Sequence, residues 1–419
     1  MRIPFKDLPR SIWALFAIRL VIAAGNFIFP FLTLILTTRL GWSSEKAGIF
    51  LTVMYAAALP GVFLGGRLSD NVGRKKIILI CQGTAVFLFF ASLAIGFKPI
   101  LPFLIAGASI ALSITWPVIN ALVADLVPDP ATRKSAYAML YWGNNIGFSL
   151  GPLAAGFLFH RAPGLMFLGN GCALCASIFM LMKFIPETGL TDKAAEKPGG
   201  GTDIDAEASR SGSLASVLRE RPTIVMFGLI VAVMNFVYSQ NGFSLPLYLN
   251  DMLGDRGAEI YGSAMTVNGI TVVFCTLLLS RLMSRTPVLV IMAAASLLYA
   301  IGFGILSFPP GFFLVIASTV IWTWGEILSA TNINVYVASR TPASHRGRVN
   351  SAVTVITNLG SLSSPLISGA IIHRGGTASI WPIAFFTGMG AAALMLGLGA
   401  YERSKGPAAP SAPSARAEI

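Results

Sequence analysis

The chain has 419 residues, of which 55% are hydrophobic and only 11% are charged, with a mean hydropathy of +0.73. Soluble domains carry about 25% charged residues, so a chain this apolar cannot hide its surface in one water-soluble core. The net charge of +12 would ordinarily suggest nucleic acid, but here the positions of the basic residues matter more than their sum. We expect an all-α membrane protein whose partner is the lipid bilayer and not nucleic acid.

Runs of about 20 apolar residues, the length that crosses a bilayer, predict twelve membrane spans. Spans 1 to 6 are expected near residues 11–38, 47–68, 77–97, 101–126, 136–159 and 165–185. Spans 7 to 12 are expected near residues 223–249, 258–282, 288–308, 312–338, 350–372 and 377–401.

One long polar segment, residues 187–222, separates the two sets of six spans. Gly, Ser, Ala and charged residues dominate it, which is typical of a flexible linker, with a short interfacial helix expected near residues 214–218. The Pro-, Ala- and Ser-rich tail at residues 403–419 is expected to be disordered. The predicted domains are therefore residues 1–186 and 223–402, joined by a linker on the side of the membrane that holds both termini.

An internal repeat relates the two halves. Four residues of the predicted span 5 recur 213 positions later in span 11, as the pairs Asn145/Asn358, Gly147/Gly360, Pro152/Pro365 and Gly156/Gly369. Upstream, Val123, Ala124 and Pro128 recur 214 positions later as Val337, Ala338 and Pro342. Because chance would hardly supply both sets in register, we expect two pseudo-symmetric six-helix bundles related by an axis along the membrane normal.

The basic residues predict the orientation. With the N-terminus inside, 23 of the 30 Lys and Arg residues lie in inner segments and 6 in outer segments. Such an excess places both termini in the cytoplasm. We expect a multi-pass protein of a bacterial inner membrane.

Spans 2 and 3 are joined by a tight polar turn, residues 65–76, with the sequence GGRLSDNVGRKK. From Gly66 to Lys75 it resembles the inner-loop motif of the major facilitator superfamily, G-x-x-x-D-[RK]-x-G-[RK]-[RK], with one departure at Asn71. The resemblance implies a secondary transporter that works by alternating access, and not an enzyme, with no cofactor.

The same resemblance implies a conformational latch made of Gly66, Asp70, Gly73, Arg74, Lys75 and Asp125. Asp70 would meet the N-terminus of span 11, where the helix dipole favours a carboxylate. Arg74 and Asp125 would extend a charge relay that holds the outward-open state. The alternative is that the basic cluster only fixes the orientation.

Span 5 contains Gly147, Gly151, Pro152 and Gly156 in a pattern that resembles the antiporter motif of drug:proton exporters, G-x-x-x-G-P-x-x-G-G, with Ala155 in place of one glycine. Glycines let helices approach closely and proline bends them. Tyr141, Trp142 and Asn145, with Gly325 and Glu326, resemble multidrug exporters of the LmrP and MdtH type. Those carry an acid before the Tyr-Trp pair, where this chain has Leu140. Ordinary small-residue packing is the alternative for the glycines.

Only two ionisable side chains, Arg19 and Glu326, are expected deep in the membrane, and each costs roughly 2.5–3.5 kcal/mol to insert. Glu326 is interpreted as the proton carrier, with a permanently ionised partner of Arg19 as the alternative. Arg19 is expected to be a counter-charge or to favour proton release from an acid, more than to bind substrate. Asp125 could be an additional proton site, although the latch is favoured.

The resemblance also implies a cavity lined by spans 1, 4, 7 and 10. Helical spacing gives these spans and span 5 polar and aromatic faces that are expected to bind substrate. The candidate substrate-binding residues are Asn26, Trp116, Asn120, Tyr141, Asn144, Asn235, Tyr238 and Trp322.

The sequence thus favours proton-coupled export of a lipophilic, drug-like small molecule by a monomer. The alternatives are uptake or facilitated transport of a polar metabolite or sugar, and lipid flipping on the same fold; a non-transporting sensor or scaffold is disfavoured. Cys172 and Cys175 lack a second ligand pair, so no metal is expected, and no Gly-Lys-Ser/Thr loop for ATP is present.

Overall fold

The computed structural model describes residues 8–188, 221–341 and 345–404. Helices occupy all twelve predicted positions in these residues. In the first half they are Arg10–Ala24 with Ile28–Leu34 and a π-helical turn Ile35–Arg39 (span 1), Ser44–Val72, Arg74–Ile95, Leu101–Leu126, Pro130–Arg161 and Gly164–Phe184 (spans 2 to 6).

In the second half the helices are Pro222–Tyr238, the 3-10 turn Ser239–Asn241 and Ser244–Leu253 (span 7), followed by Asp255–Leu282, Val288–Gly304 with Ile305–Ser307, Phe312–Arg340, Arg346–Gly375, and Thr377–Ser379 with Ile380–Ser404 (spans 8 to 12). The predicted interfacial helix at residues 214–218, Pro342 and all but the start of the tail lie outside the described residues. The domain boundaries stay a prediction.

Ten of these spans are both long and apolar enough to cross a membrane, and span 2 makes eleven if its 42° bend is counted within one helix. Span 5, Pro130–Arg161, has the required length at 32 residues but is more polar. Its polar and small residues are explained by its position, because it packs against span 1 on one side and against span 8 of the other bundle.

The two bundles repeat the same packing. In the first bundle the principal contacts are 1–5, 1–6, 2–4, 3–4 and 3–6, and in the second they are 7–11, 7–12, 8–10, 9–10 and 9–12. Each pair in the first list corresponds to a pair in the second, shifted by six spans. Two further contacts, 5–8 and 2–11, join the bundles. They are related by the same correspondence, in which span 5 matches span 11 and span 2 matches span 8. The expected pseudo-symmetric pair of six-helix bundles is confirmed.

Spans 1 and 7 are both broken near their middle. After Ala24 the helix of span 1 stops, and the backbone N–H groups of Phe27 and Ile28 donate to Oδ1 of Asn170 in span 6, both at 3.0 Å. In span 7 the break is held by the buried side chain of Gln240, which bonds to Ser364 and Ser368 of span 11. Polar side chains therefore satisfy backbone at membrane depth, where water is absent.

Local signals set the helix ends at the membrane surfaces. Asp129 caps span 5 by accepting from the Thr132 backbone N–H at 2.8 Å, with Pro130 at the first helical position. The hydrogen bond from the Thr132 side chain, together with that from its backbone, holds the pKa of Asp129 below its usual range. Gly73, between spans 2 and 3, has a φ of 104°, which a residue with a side chain rarely adopts.

The bundles meet on one side of the membrane only. We call this the Arg39 side, where span 1 ends, and the opposite one the Asp70 side, where span 2 ends. Hydrogen bonds that join the bundles, such as Ser44 Oγ to Gly369 O at 3.0 Å and Thr266 Oγ1 to Ser149 O at 2.7 Å, lie between mid-helix and the Arg39 end. The space between the bundles, the central cavity, is therefore closed on the Arg39 side.

The apolar packing agrees with this conformation. One buried cluster crosses between the bundles near the Arg39 side, where the rings of Phe31 and Tyr261 are 5.1 Å apart. A second buried cluster, which includes Ile12, Ile78 and Leu122, draws on first-bundle residues alone. The Asp70-side core of that bundle is thus independent of the other bundle.

Candidate functional site

Glu326 lies at the centre of span 10, 14 residues from each end of Phe312–Arg340, or about 21 Å along the axis. Its carboxylate accepts a hydrogen bond from Nδ2 of Asn268 in span 8 at 2.7 Å, and Tyr238 of span 7 lies within electrostatic range of it. The side chain is partly exposed. A carboxyl group at mid-membrane depth is thus oriented by a neighbouring span and remains accessible.

Three tyrosines from three different spans surround this carboxyl. Tyr238 and Tyr299 of the second bundle have ring centroids 5.5 Å apart. Tyr141 of span 5, which is 47% exposed, lies within electrostatic range of Glu326 from the opposite bundle. The site therefore reaches across the central cavity, and both bundles contribute to it.

Trp322 differs from its predicted role at the cavity wall. It is only 1% exposed, stacks on Phe303 at 5.7 Å and packs edge-on against Tyr238 at 6.0 Å. Although it lies one helical turn before Glu326, these two rings cover it. In this conformation Trp322 supports Tyr238 and does not face the cavity.

Arg19 lies in the first bundle and is 8% exposed. Its guanidinium sits 4.0 Å from the ring centroid of Trp116 in span 4, which is 52% exposed. No ion pair or hydrogen bond of Arg19 occurs among the residues that the structure describes. The ion pair with Glu326, which is the alternative role for that carboxyl, is not made in this conformation, because the two side chains belong to separated bundles.

The predicted asparagines occupy different settings. Asn26 lies at the break of span 1, and its Oδ1 is enclosed without a hydrogen-bond partner. Asn235 is committed to packing, since its Nδ2 donates to the Thr357 carbonyl in span 11 at 2.9 Å. The side chains of Asn120 and Asn144 are partly exposed.

The polar turn after span 2 forms a charge cluster within the first bundle. Arg74 pairs with Asp125 at 2.6 Å and lies 3.7 Å from Asp70, which is 51% exposed. Lys75 donates through Nζ to the carbonyl oxygens of Met182 and Ile185, at 3.0 and 2.7 Å, and so holds the end of span 6. Gly66 borders open space. The pairing of Arg74 with Asp125 that the latch hypothesis requires is present.

Replacement of Asp70 by Asn is expected to shift the protein toward the conformation described here. Asp70 contributes little to this state, in which it is half exposed and its pair with Arg74 is long. Its proposed contact with span 11 belongs to the opposite state, so the substitution removes stabilisation from that state alone. Distances between spin labels on the Asp70-side ends of the two bundles measure the shift, with Asp251→Asn as a control on the Arg39 side. An unchanged distance distribution would argue against the latch.

The small residues of span 5 make two kinds of contact. Gly147 and Gly151 face span 1, where a Cβ at Gly147 would overlap the carbonyl oxygen of Leu20. Gly156 faces span 8, where a Cβ would overlap the carbonyl oxygen of Ala258. Pro152 lies in the same contact, with its carbonyl oxygen against Gly262.

The repeat partners in span 11 make the equivalent contacts. Gly360 meets the backbone of Ala232 in span 7, and Gly369 meets that of Ser44 in span 2. The repeated glycines therefore serve one contact within each bundle and one between bundles. We call the two contacts between bundles, 5–8 and 2–11, the seams.

A histidine lies at the Arg39 end of each seam. His160 of span 5 is 3.4 Å from Asp255 of span 8, and His373 of span 11 is 3.8 Å from Glu45 of span 2. The two histidines are 213 residues apart, the same interval as the repeated glycines. Beside the first pair, Arg161 and Glu259 form an ion pair at 3.0 Å.

Several residues of the site were missed from the sequence. Asn268 and Tyr299 lie on spans 8 and 9, outside the four spans that the resemblance assigns to the cavity. They lie close to Glu326 because of the way spans 8, 9 and 10 pack together. The periodicity of polar residues along one helix does not specify that packing. The pair His160 and His373 had a detectable signal, the interval of 213 residues. In the part of the chain that the structure describes, no three His, Cys, Asp or Glu side chains converge as a metal site.

Two pseudo-symmetric six-helix bundles around a central cavity define a multi-pass membrane transporter. The sequence matches the Major Facilitator Superfamily over residues 14–309 and 252–418, and the chain belongs to this family.

Curated relatives cover most of the chain at low identity. It is 24% identical over 365 residues to the "Na(+), Li(+), K(+)/H(+) antiporter" of Planococcus maritimus, covering 81% of this chain and 84% of the relative. It is 23% identical over 372 residues to the uncharacterized MFS-type transporter YqjV of Bacillus subtilis, covering 87% and 86%.

Solved structures are similar in fold. The nucleoside transporter NupG superposes with a TM-score of 0.74 at 14% identity, covering 94% of this chain and 99% of NupG. The peptide transporter POT in complex with sulfate superposes with a TM-score of 0.73 at 16% identity, covering 96% of each chain.

Proposed function

We propose that this transporter exports lipophilic, drug-like small molecules in exchange for protons, by alternating access of the central cavity to the two sides of the membrane. The observation that carries the proposal is the Glu326 carboxyl at mid-span, which accepts a hydrogen bond from Asn268 and is partly exposed. A group that is oriented but still accessible can gain and lose a proton as its surroundings change between the two states.

Glu326 is proposed as the proton carrier, and the Arg74 pair with Asp125 as part of the conformational latch. Asp125 is assigned to the latch and not to proton transfer, because its carboxyl group lies 2.6 Å from Arg74, itself part of the latch. Tyr141 and Tyr238 would provide aromatic contacts to the substrate beside the carboxyl, and Asn120 and Asn144 hydrogen bonds.

The orientation is part of the proposal. The Asp70 side is assigned to the cytoplasm of a bacterium, because 23 of the 30 basic residues lie on that side. Both termini would then be cytoplasmic, and the conformation described here would be open to the cytoplasm. A monomer is sufficient, since one chain supplies both bundles of the cavity.

A monovalent cation is a second candidate for the exported species. The relative from Planococcus maritimus is named as a Na(+), Li(+), K(+)/H(+) antiporter. The Glu326 carboxylate and the Asn268 side-chain oxygen offer the ligand types that hard cations prefer. In the present conformation, however, Asn268 presents its Nδ2 donor to the carboxylate and not its oxygen, so the two groups do not form a cation site. This favours the exchange of protons for an organic substrate.

Reconstituted vesicles with an imposed pH gradient test the proposal. Separate experiments offer the vesicles one class of substrate each: fluorescent lipophilic compounds, Na⁺ and K⁺, a sugar and a nucleoside, or a labelled phospholipid. Movement of a lipophilic compound against its gradient, driven by the pH difference, is the expected result. Sugar or nucleoside flux that ignores the pH gradient would support facilitated transport instead, and movement of the phospholipid would support flipping.

A further inference from the structure

Among the residues that the structure describes, the charge of Arg19 has no counter-charge. The side chain is 8% exposed and lies on the first bundle, about 14 Å along the axis from the start of its helix at Arg10. Among the described residues no carboxylate lies within ion-pair distance and no group accepts a hydrogen bond from it; its one recorded contact is the ring of Trp116 at 4.0 Å. A buried charge without a counter-charge is costly.

The guanidinium remains accessible in spite of this burial. Enclosed polar atoms without a partner occur elsewhere in the described residues, for example Oδ1 of Asn26, but no Arg19 nitrogen is among them. Since these nitrogens make no hydrogen bond to the described residues, each of them keeps some accessible surface. Arg19 thus presents free N–H donors at a depth where anions from bulk water are otherwise excluded.

The opposite wall of the cavity does not neutralise Arg19. Glu326 is held in the second bundle by its hydrogen bond from Asn268, and it makes no ion pair with Arg19. When Glu326 carries its proton it is neutral, and Arg19 is then the one charged side chain of these two. The cavity then favours a negatively charged guest.

The aromatic surroundings define the rest of the guest. Trp116 is half exposed beneath the guanidinium, and Tyr141 is 47% exposed on the neighbouring wall. A planar guanidinium binds a carboxylate through two parallel hydrogen bonds, and exposed rings provide flat apolar contact.

We propose that the transported substrate is an organic anion, whose carboxylate pairs with Arg19 while its aromatic or apolar body packs on Trp116. This inference rests on the proposed function, because it takes the central cavity as the transport path. It narrows lipophilic, drug-like compounds to those that carry a negative charge.

Equilibrium binding to the purified full chain at constant pH tests this inference. The probes are aromatic compounds with one to three rings, for example naphthalene. Each ring system is tested with three different substituents: a carboxylate, a neutral carboxamide and a methylammonium group. We expect the carboxylate to bind about tenfold or more tightly than its carboxamide. Arg19→Gln should remove this preference, and Arg19→Lys should retain part of it. Arg10→Gln, on an exposed residue of the same span, is the matched control.

The wild-type protein decides the matter even if Arg19→Gln does not fold. Equal or tighter binding of the carboxamide or the methylammonium, or no binding of any probe, would overturn the inference. So would an undiminished carboxylate preference in folded Arg19→Gln. Because no proton gradient is imposed, the result is independent of coupling. Anion preference without pH-driven transport would refute only the proposed exchange, and pH-driven transport of cations would refute only this inference.

Discussion

Glu326→Gln is expected to abolish transport driven by a pH gradient while the protein remains folded. The amide keeps the shape of the protonated acid and can still accept from Asn268 through its oxygen, so the packing of spans 8 and 10 is preserved. It cannot release a proton, so the cycle cannot be coupled. Uptake assays in vesicles with and without the gradient measure the loss, and substrate binding should persist.

The matched control is Glu187→Gln, a glutamate outside the spans that accepts from the Lys75 backbone N–H. It should transport normally. Uphill transport at the wild-type rate by Glu326→Gln would exclude the proton-carrier role and leave a structural role for this carboxyl.

Gly156→Val should hold the protein open on the Arg39 side and stop transport without unfolding it. In the closed seam a side chain at Gly156 would overlap the Ala258 carbonyl of the other bundle. That overlap disappears when the seam separates, so the substitution destabilises only the conformation described here. Reaction of single cysteines near the Arg39 end of span 8 with membrane-impermeant reagents should increase sharply. Gly369→Val, at the equivalent place in the second seam, should have the same effect.

Gly147→Val separates a seam effect from a packing effect. Gly147 faces Leu20 within its own bundle. We expect both conformations to keep this contact, because it does not cross between the bundles. This variant should therefore lose thermal stability and expression, with no trapping in one state. Gly83→Val, next to open space in span 3, should change neither thermal stability nor expression. Normal transport and unchanged cysteine reactivity in Gly156→Val would show that the 5–8 seam does not need to close.

The positions of the spans were predictable because membrane insertion depends on hydropathy, which the sequence displays directly. The predicted span 4 coincides with Leu101–Leu126 at both ends. The breaks in spans 1 and 7 were not predicted. They depend on Asn170 and Gln240, whose side chains satisfy backbone or neighbouring spans that lie more than 100 residues away. A hydropathy pattern contains no information on such partners.

The candidate site was predictable to the extent that charge at membrane depth is rare. Arg19 and Glu326 were identified because charges are costly there, and both lie where the two bundles face each other. Their partners were not predictable, because helical periodicity gives the polar face of a helix but not the neighbour that it meets. Trp322 was therefore placed at the cavity, whereas Phe303 and Tyr238 cover it.

The unpaired guanidinium of Arg19 also determines how the membrane potential would act on this carrier. Export of a monovalent anion in exchange for one entering proton moves two positive charges inward in each cycle. A neutral substrate would move one charge, and a monovalent cation none. A potential of about 100 mV, negative inside, contributes roughly 2.3 kcal/mol for each charge. With an anionic substrate the voltage alone would therefore supply about 4.6 kcal/mol per cycle, and export could continue after the pH gradient has collapsed.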